Sequence, residues 1–255
     1  MKLFANSQSP FVRKIRITLF EKGLTFETVE IRCAAQREAL RQVNPRGEVP
    51  VLQDGEMIVT ESSIICDYIE ETYPTPPLFP SAPADRARSR TYERIADTQS
   101  DVLQFFLSLI TARRPELRAT HPGLDVAVHD AIAAHYTFLD RQLADRPYFL
   151  GGFSRADIAF VPHITGLVHL GRPIPDTCPN LNAWLGRMLS RPSVQEDATL
   201  ALAAWQQAST DADGFFRTDW VHWRSDRVEW ALRFGLGRWL LNELEAGRAY
   251  WSPAP

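Results

Sequence analysis

Short apolar runs alternate with amphipathic stretches along the first 73 residues, a pattern typical of a small α/β unit. Residues 2–5 form a short apolar run that predicts a buried strand. Residues 10–22 predict a helix that ends at Gly23. The side chains that share one face of this helix are Phe11, Ile15, Thr18 and Leu19.

The rest of this N-terminal unit follows the same pattern. Asp54-Gly55 separates two apolar runs, which is a strong signal for a β-hairpin. The resulting order of elements, βαβ-α-ββα, predicts a thioredoxin-like domain over residues 1–73. The later elements are a strand at 26–31, a helix at 34–43, hairpin strands at 51–52 and 57–59, and a helix at 62–71.

Five prolines between residues 74 and 84 predict a linker, because proline breaks a helix and offers no backbone N–H. Beyond the linker, helical periodicity dominates and predicts an all-helical domain over residues 85–208. The predicted helices occupy 85–113, 124–144, 155–170, 180–190 and 193–208.

Residues 209–255 form a C-terminal extension that is unusually rich in tryptophan. We expect a polar loop at 210–214 and one helix from Ser225 to Gly247, with its apolar face packed on the helical domain. A partner or a membrane surface is the alternative. The apolar face comprises Val228, Leu232, Leu236, Trp239, Leu240 and Leu244. The tryptophans are Trp220, Trp223, Trp230, Trp239 and Trp251. The arginines expected to face water or an anionic substrate are Arg224, Arg227, Arg233, Arg238 and Arg248.

Composition narrows the classes of function. The 255 residues include 28 basic and 31 acidic side chains. The chain therefore lacks the excess of basic residues that would indicate a nucleic-acid partner. No apolar run approaches the ~18 residues of a membrane span, and the N-terminus lacks the pattern of a signal peptide. Three scattered cysteines favour a reducing cytoplasm over a disulfide framework.

Three short motifs combine chemical groups with element boundaries. Ser9 precedes Pro10 at a helix start, Val49-Pro50 precedes the hairpin, and Glu61-Ser62 begins the third helix. Together they resemble the glutathione-binding half of a glutathione transferase. Residues 149–159 are similar to the capping motif of that family's helical domain, with Ser154 and Asp157 as a capping box. The resemblance covers residues 1 to about 208.

The resemblance implies that Ser9 supplies the hydroxyl that activates the glutathione thiol. A free thiol has a pKa of about 8.5, and a hydroxyl donor favours its thiolate. Ser7 is the second candidate for this role, and Asn6 or a backbone N–H is the next. Simple capping of the helix is the alternative reading of Ser9.

The resemblance also implies a glutathione clamp. A cis peptide at Val49-Pro50 would expose the backbone of Val49 to the cysteinyl backbone of glutathione, although a trans proline is the commoner state. Glu61 and Ser62 would hold the γ-glutamyl group at a helix start, where capping alone is the alternative. Glu48 departs from the family's Lys or Gln, so Arg46, Arg37 or Gln36 would take the glycyl carboxylate.

The remaining expectations concern the second substrate. It would bind between the domains against Phe11, Phe105 and Leu109, residues that are more often core. The histidine pairs His129/His135 and His163/His169 are six residues apart, so no metal site is predicted.

The sequence is thus identified as a serine-type, bacterial-style member of the cytosolic glutathione transferases. The expected function is glutathione-dependent attack on an apolar electrophile, as in detoxification, by a cytoplasmic homodimer. A serine at position 9 favours conjugation or elimination over disulfide chemistry. A non-catalytic binding protein of the same fold and a thiol reductase are the alternatives.

Overall fold

The computed structural model describes residues 1–210 and 221–250 of the chain. Its N-terminal part is thioredoxin-like, as the sequence predicts. Strand β1 pairs in parallel with β2 and antiparallel with β3, and β3 forms a hairpin with β4. The strands are β1 (Lys2–Ala5), β2 (Glu27–Glu30), β3 (Val51–Asp54) and β4 (Met57–Thr60), and the helices are α1 (Pro10–Glu21), α2 (Ala34–Leu40) and α3 (Ser62–Thr72).

The second part is helical, as predicted, and its first helix begins at Pro83, inside the predicted linker. Two π-helical turns interrupt the long segment predicted at 85–113, and one short helix was not predicted. The helices are α4 (Pro83–Ile95), α5 (Asp101–Ser108), α6 (Leu117–Thr120), α7 (Leu124–Leu143), α8 (Arg155–His169), α9 (Pro179–Leu189) and α10 (Pro192–Thr210), with π-helical turns at Ala96–Ser100 and Leu109–Arg113.

Helix α8 begins with the predicted capping box. The backbone N–H of Ser154 donates to a carboxylate oxygen of Asp157 at 3.0 Å, and the Ser154 hydroxyl accepts from the backbone at the third position. The other carboxylate oxygen of Asp157 accepts from the indole N–H of Trp184 at 2.9 Å. This buried motif fixes the start of the helix that packs against α1.

Helix α1 lies between two hydrophobic cores and joins them. Val12, Ile15 and Leu19 face the core beneath the sheet, whereas Ile17 belongs to the core of the helical part. Their spacing of three and four residues places the first three on one stripe of the helix. The opposite stripe of α1 therefore contacts the helical part instead of solvent.

Three cations of α1, Arg13, Lys14 and Arg16, are buried and paired. The Nε atoms of Arg13 and Arg16 donate to the two carboxylate oxygens of Asp197 on α10, at 2.8 and 2.7 Å. Lys14 reaches Glu93 at 2.9 Å and Asp97 at 2.7 Å. Burial alone would lower the pKa of Lys14, but these two carboxylates raise it above its ordinary value. The pairs therefore lock the orientation of α1.

The C-terminal extension forms two helices instead of the one predicted. Helix α11 (Ser225–Arg233) ends before Gly235, whose φ of +76° turns the chain into α12 (Gly237–Glu245). A parallel pair of short strands, β5 (Val221–His222) and β6 (Ala249–Tyr250), brackets them. Residues 211–214 of the expected loop, Trp220 and Trp251 lie outside the described residues.

The described part of the extension packs on the helical core. Trp223 is buried and meets Phe105 edge to face at a centroid distance of 5.6 Å. Ala231, Leu236 and Leu240 are buried in the same core. The break at Gly235 rotates the second helix, so the single expected apolar face is wrong, and Leu232 is 60% exposed.

We predict that Asp197→Asn destabilises the protein strongly, because it leaves Arg13 and Arg16 buried without their counter-charge. The free energy of unfolding should fall by about 3–5 kcal/mol in denaturant titrations. Asp85→Asn is the matched control, since its pair with Arg88 is solvent-exposed and should cost below about 1 kcal/mol. Equal losses for the two variants would show that the buried pairs do not hold α1.

Candidate active site

A cavity of about 700 Å³ lies where α1, the loop before β3 and the start of α3 meet the helical part. Its walls come from the thioredoxin-like first part, from the helical second part and from the C-terminal extension. The lining residues of the first part are Asn6, Gln8, Ser9, Pro10, Phe11, Ile31, Arg37, Asn44, Arg46, Gly47, Glu48, Val49, Pro50, Glu61, Ser62, Ser63 and Ile64. Those of the second are Arg94, Asp97, Asp101, Gln104, Phe105, Ser108, Arg113, Leu170, Trp205, Arg224 and Arg227.

Ser9 lies in the cavity wall at the N-terminus of α1. Its backbone is extended (φ −66°, ψ 124°), and its hydroxyl makes no capping hydrogen bond to the helix. The turn before it is held by Asn6, whose backbone carbonyl accepts from the Ser9 N–H at 2.8 Å. The Ser9 hydroxyl is thus positioned at the positive end of a helix, where the dipole favours an anion.

Ser7, the second candidate, lies outside the cavity lining and is buried. Its hydroxyl donates to the carboxylate of Glu30 and accepts from a guanidinium nitrogen of Arg16 at 2.9 Å. The Ser7 hydroxyl therefore uses its proton for Glu30 and a lone pair for Arg16. The geometry separates the two serines, and only Ser9 faces the cavity.

Val49 and Pro50 form the edge of the cavity, and the peptide between them is cis, as predicted. The loop before them is built around Asn44, whose side-chain amide donates to the carbonyl of Glu48 at 2.9 Å. Gly47 has a φ of +64° and approaches the side chain of Arg37 so closely that a β-carbon there would lie 3.2 Å from it. This loop therefore presents a fixed backbone to the cavity.

Glu61 and Ser62 complete the opposite edge. Glu61 precedes α3 with a φ of +65°, which is rare for a residue with a side chain and is found at sites where surrounding structure imposes it. Ser62 is buried as the first residue of α3. The unpaired N–H groups of this helix start make the edge a favourable place for an anion.

The candidates for the glycyl end fall into two groups. Arg37 and Arg46 line the cavity, and the Nε of Arg46 donates to the carboxylate of Glu48 at 2.8 Å. Gln36 does not line it: its side-chain oxygen caps α2 by accepting from the backbone N–H of Cys33 at 3.2 Å, and it also accepts from that of Arg32 at 2.6 Å. The expectation for Gln36 is therefore not met by its position.

The far end of the cavity is partly aromatic. Phe11 and Phe105 line it as expected, together with Trp205. Leu109 does not, because it is fully buried in the helical core. The α5 residues that line the cavity are Asp101, Gln104, Phe105 and Ser108, and regular helical spacing turns Leu109 away from that stripe.

Two arginines of the C-terminal extension enter this end of the cavity. Arg227 binds the carboxylate of Asp101 through two nitrogens at 3.1 and 2.8 Å, and its guanidinium lies 4.2 Å from the centroid of Phe105. Arg224 lies 5.0 Å from the centroid of Phe11. Burial alone would raise the pKa of Asp101, but Arg227 and Arg224 hold it below its ordinary value.

Sequence reasoning missed the acidic residues that organise this end. Asp97 and Asp101 sit where a regular helix would continue, and nothing local indicates that their partners are Lys14 and Arg227. The carboxylate of Asp97 also accepts from the Ser63 hydroxyl at 3.2 Å. These contacts link α3, α1 and the extension around one cavity.

The three cysteines lie outside the cavity lining, and the described residues contain no group of potential metal ligands. Cys33, Cys66 and Cys178 are free and do not line the cavity, and burial raises the pKa of the Cys66 thiol to about 11. Among residues 1–210 and 221–250, no three histidine, cysteine, aspartate or glutamate side chains group as metal ligands. In the same ranges, no helix is both long and apolar enough to cross a bilayer.

Two protein-family models match the chain, one in each of its two parts. Residues 3–77 match the family described as glutathione S-transferase, N-terminal domain, and residues 111–187 match glutathione S-transferase, C-terminal domain. Helices α11 and α12 lie outside both matches. The chain is thus similar to this family in the thioredoxin-like part and in most of the helical part.

Individual relatives agree with these matches. The chain is 30% identical over 199 residues to glutathione S-transferase omega-1 of Rattus norvegicus, covering 75% of this chain and 78% of the relative. It is 28% identical over 204 residues to a stringent starvation protein A homolog of Haemophilus influenzae, covering 76% and 87%. A glutathione S-transferase structure from Rhodospirillum rubrum superposes with a TM-score of 0.66 at 27% identity, covering 78% and 91%.

We predict that Asp101→Asn loosens α11, because the neutral amide no longer attracts Arg227 and Arg224. Hydrogen exchange of the amides of 225–233 at neutral pH should report a local opening free energy lower by about 1.5–3 kcal/mol. Glu229→Gln, an exposed change on α11 itself, serves as the control.

The same contact predicts the pH dependence of α11 docking. The pKa of Asp101 is lower in the folded protein than its ordinary value of 3.8. The ionised Asp101 therefore stabilises the docking of α11 fully above pH 3.8, and this stabilisation is lost as the pH falls through the lowered pKa. Exchange corrected for its intrinsic pH dependence should show this loss in the native chain and not in Asp101→Asn. An identical acid response in both would contradict the assignment.

Proposed function

This chain belongs to the glutathione S-transferase family, and from that premise we propose that it activates the thiol of glutathione through a serine hydroxyl for attack on an electrophile. The observation that supports this most is the convergence of Ser9, Val49-Pro50 and Glu61-Ser62 on one cavity. These residues come from three separate stretches of the chain. Helix capping and turn formation alone do not require that they face each other.

Glutathione would lie along the edge formed by the thioredoxin-like part. Its γ-glutamyl carboxylate would bind the start of α3 at Ser62, with its ammonium group against Glu61. The backbone of Val49 would pair with the cysteinyl unit like an added strand. Arg37 and Arg46 would face the glycyl carboxylate, and Arg46 also offsets the charge of Glu48.

This pose directs the cysteinyl sulfur toward Ser9. A hydroxyl that donates to the sulfur and a helix N-terminus behind it both favour the thiolate over the thiol. The thiolate attacks the electrophilic carbon, a new S–C bond forms, and a leaving group departs with its electron pair. Phe11 and Phe105 would contact the apolar, aromatic body of the electrophile, a substrate class consistent with detoxification.

A non-catalytic binding protein is the second candidate. The similarity to a stringent starvation protein A homolog favours it, because that name describes a starvation response and not a transferase. Thiol reductase activity has less support, since the three cysteines are outside the cavity lining. A binding protein would hold glutathione without lowering the pKa of its thiol, so turnover separates the two candidates.

We also propose that the protein is a cytoplasmic homodimer joined through α3 and α4. Ile64 on α3 and Met57 on β4 are 55% and 52% exposed, and an interface on this side of the chain would bury both side chains. A two-fold interface would use this surface twice. Sedimentation at micromolar concentration should give the mass of two chains, and the mass of one chain, near 28.9 kDa, would exclude the dimer.

We predict that Glu61→Ala weakens glutathione binding by about 1.5–3 kcal/mol, the range for a hydrogen bond to a charged group. Isothermal titration calorimetry with glutathione measures this directly. Glu71→Ala on the exposed side of α3 should leave the affinity unchanged. Unchanged affinity in Glu61→Ala would remove this residue from the site.

We predict that Ser9→Ala lowers turnover roughly ten- to a hundredfold while it largely spares the affinity for glutathione, because the lost hydrogen bond stabilises the thiolate more than the bound thiol. Steady-state kinetics with a reactive chloronitrobenzene and glutathione titrations provide the two readouts. Ser7→Ala tests the alternative serine. A fall in turnover in Ser7→Ala alone would transfer the role, and a fall in neither would assign it to Asn6 or a backbone N–H.

A further inference from the structure

Arg224, the residue that precedes α11, lies in the wall of the cavity together with Ser9, Val49 and Ser62. The two family matches cover residues 3–77 and 111–187, so neither includes the C-terminal extension to which Arg224 belongs. The extension therefore adds to the cavity a cationic side chain for which the family matches do not account.

Two contacts place the guanidinium of Arg224 between the starts of α1 and α3. It lies 5.0 Å from the centroid of the Phe11 ring, and Phe11 is two residues after Ser9. Its Nη2 donates to the backbone carbonyl of Asp97 at 3.1 Å. The carboxylate of Asp97 accepts in turn from the hydroxyl of Ser63, the second residue of α3, at 3.2 Å. Arg224 is thus linked to both helix starts that line the candidate site.

Nearby carboxylates keep Arg224 charged. Burial alone would lower the pKa of Arg224, but four carboxylates raise it above its ordinary value. One of them is Glu48, which directly precedes Val49, so Arg224 also faces the loop that ends in the cis peptide. The other three are Asp101, Asp226 and Asp97.

Arg224 also retains hydrogen-bond donors for a ligand. Besides Asp97, its Nη2 donates to the carboxylate of Asp226 at 3.3 Å. Its Nη1 lies 3.8 Å from Asp101, beyond hydrogen-bond distance, and its Nε donates to none of the residues that the structure describes. Neither nitrogen is buried without a partner, and the side chain is 27% exposed in the cavity wall. Both nitrogens can therefore donate to a molecule bound in the cavity.

We propose that Arg224 donates a second hydrogen bond to the thiolate sulfur of glutathione and so supplements Ser9 in activating the thiol. This inference rests on the proposed function, which places the cysteinyl unit against Val49 and its sulfur toward Ser9. A hydrogen bond from a guanidinium is stronger to a charged acceptor than to a neutral one. Arg224 therefore favours the thiolate over the thiol, while the thiol proton leaves to solvent and the guanidinium keeps its own protons.

The other charged groups near Arg224 and Phe11 are the same in every variant that changes residue 224 alone. One imidazole also packs there: His163 meets the Phe11 ring at a centroid distance of 5.8 Å. Burial lowers the pKa of His163 to about 3, so this imidazole stays neutral when the thiol titrates. The charged groups are Lys14 on α1, Glu48 on the loop before β3, Glu61 before α3, Asp97 on the first π-helical turn, Asp101 on α5, and Asp226 and Arg227 on α11.

The first test is the pKa of the bound thiol. Ultraviolet pH titration of glutathione saturated with protein should give a midpoint about 0.5–1 pH unit higher for Arg224→Gln than for the native chain. Arg224→Lys keeps a cation with three N–H donors and should recover at least half of this shift. Arg233→Gln is the matched control, because Arg233 lies exposed on α11 outside the cavity lining and stacks on Trp230 at 4.6 Å.

The second test separates a contact with the sulfur from a structural role. Calorimetric titrations at pH 6 and pH 9 compare glutathione with S-methylglutathione, whose sulfur cannot ionise. Arg224→Gln should weaken glutathione binding about three- to tenfold at pH 9, the change in affinity that corresponds to the shifted pKa. Glutathione at pH 6 and S-methylglutathione at both pH values should bind within about twofold of the native chain. An equal loss for both ligands at both pH values would show that Arg224 holds the peptide or the extension, and would overturn the inference.

The titrations also distinguish this inference from the proposed function. A native midpoint below that of free glutathione together with an unchanged midpoint in Arg224→Gln would overturn the role of Arg224 and leave that of Ser9. A native midpoint equal to that of free glutathione would contradict the proposed function itself. If Arg224→Gln fails to fold, Arg224→Met gives the same comparison, because its linear side chain keeps an apolar contact with Phe11 and lacks the N–H donors.

Discussion

The buried charge pairs on α1 are the interaction on which the rest of the structure depends. Asp197 holds Arg13 and Arg16, while Glu93 and Asp97 hold Lys14, all in an interface closed to solvent. A buried ion is costly without its partner, so only one arrangement of the two parts satisfies all of them. Ser9 begins the same helix, and its position in the cavity follows from that arrangement.

The same logic extends from α1 to the candidate site. Asp97 touches Lys14 on one side and Ser63 at the start of α3 on the other, and Asp101 receives Arg227 from the extension. Charge pairs and one hydrogen bond therefore connect the helix that presents the proposed activating hydroxyl, the helix start proposed to bind glutathione, and the extension that lines the aromatic end of the cavity. Loss of one of these contacts should therefore displace the neighbouring wall of the cavity.

Local features were predictable because their causes are local. The hairpin at Asp54-Gly55 and the capping box of Ser154 and Asp157 each depend on residues within a few positions, whereas the cis peptide at Val49-Pro50 was expected from the family resemblance. The burial of the α1 cations was not predictable, since Arg13 meets Asp197 at a separation of 184 residues. Gly235 was a visible break signal, yet the apolar spacing across it suggested one continuous helix.

The central claim is that the site binds glutathione as a thiolate, and the pKa of the bound thiol tests it most directly. The ultraviolet absorbance of the thiolate, followed by pH titration of glutathione saturated with the native protein, gives that value. We expect a midpoint at least one pH unit below the value of about 8.5 for a free thiol. A bound thiol that titrates like free glutathione would contradict the account and leave the chain as a binding protein.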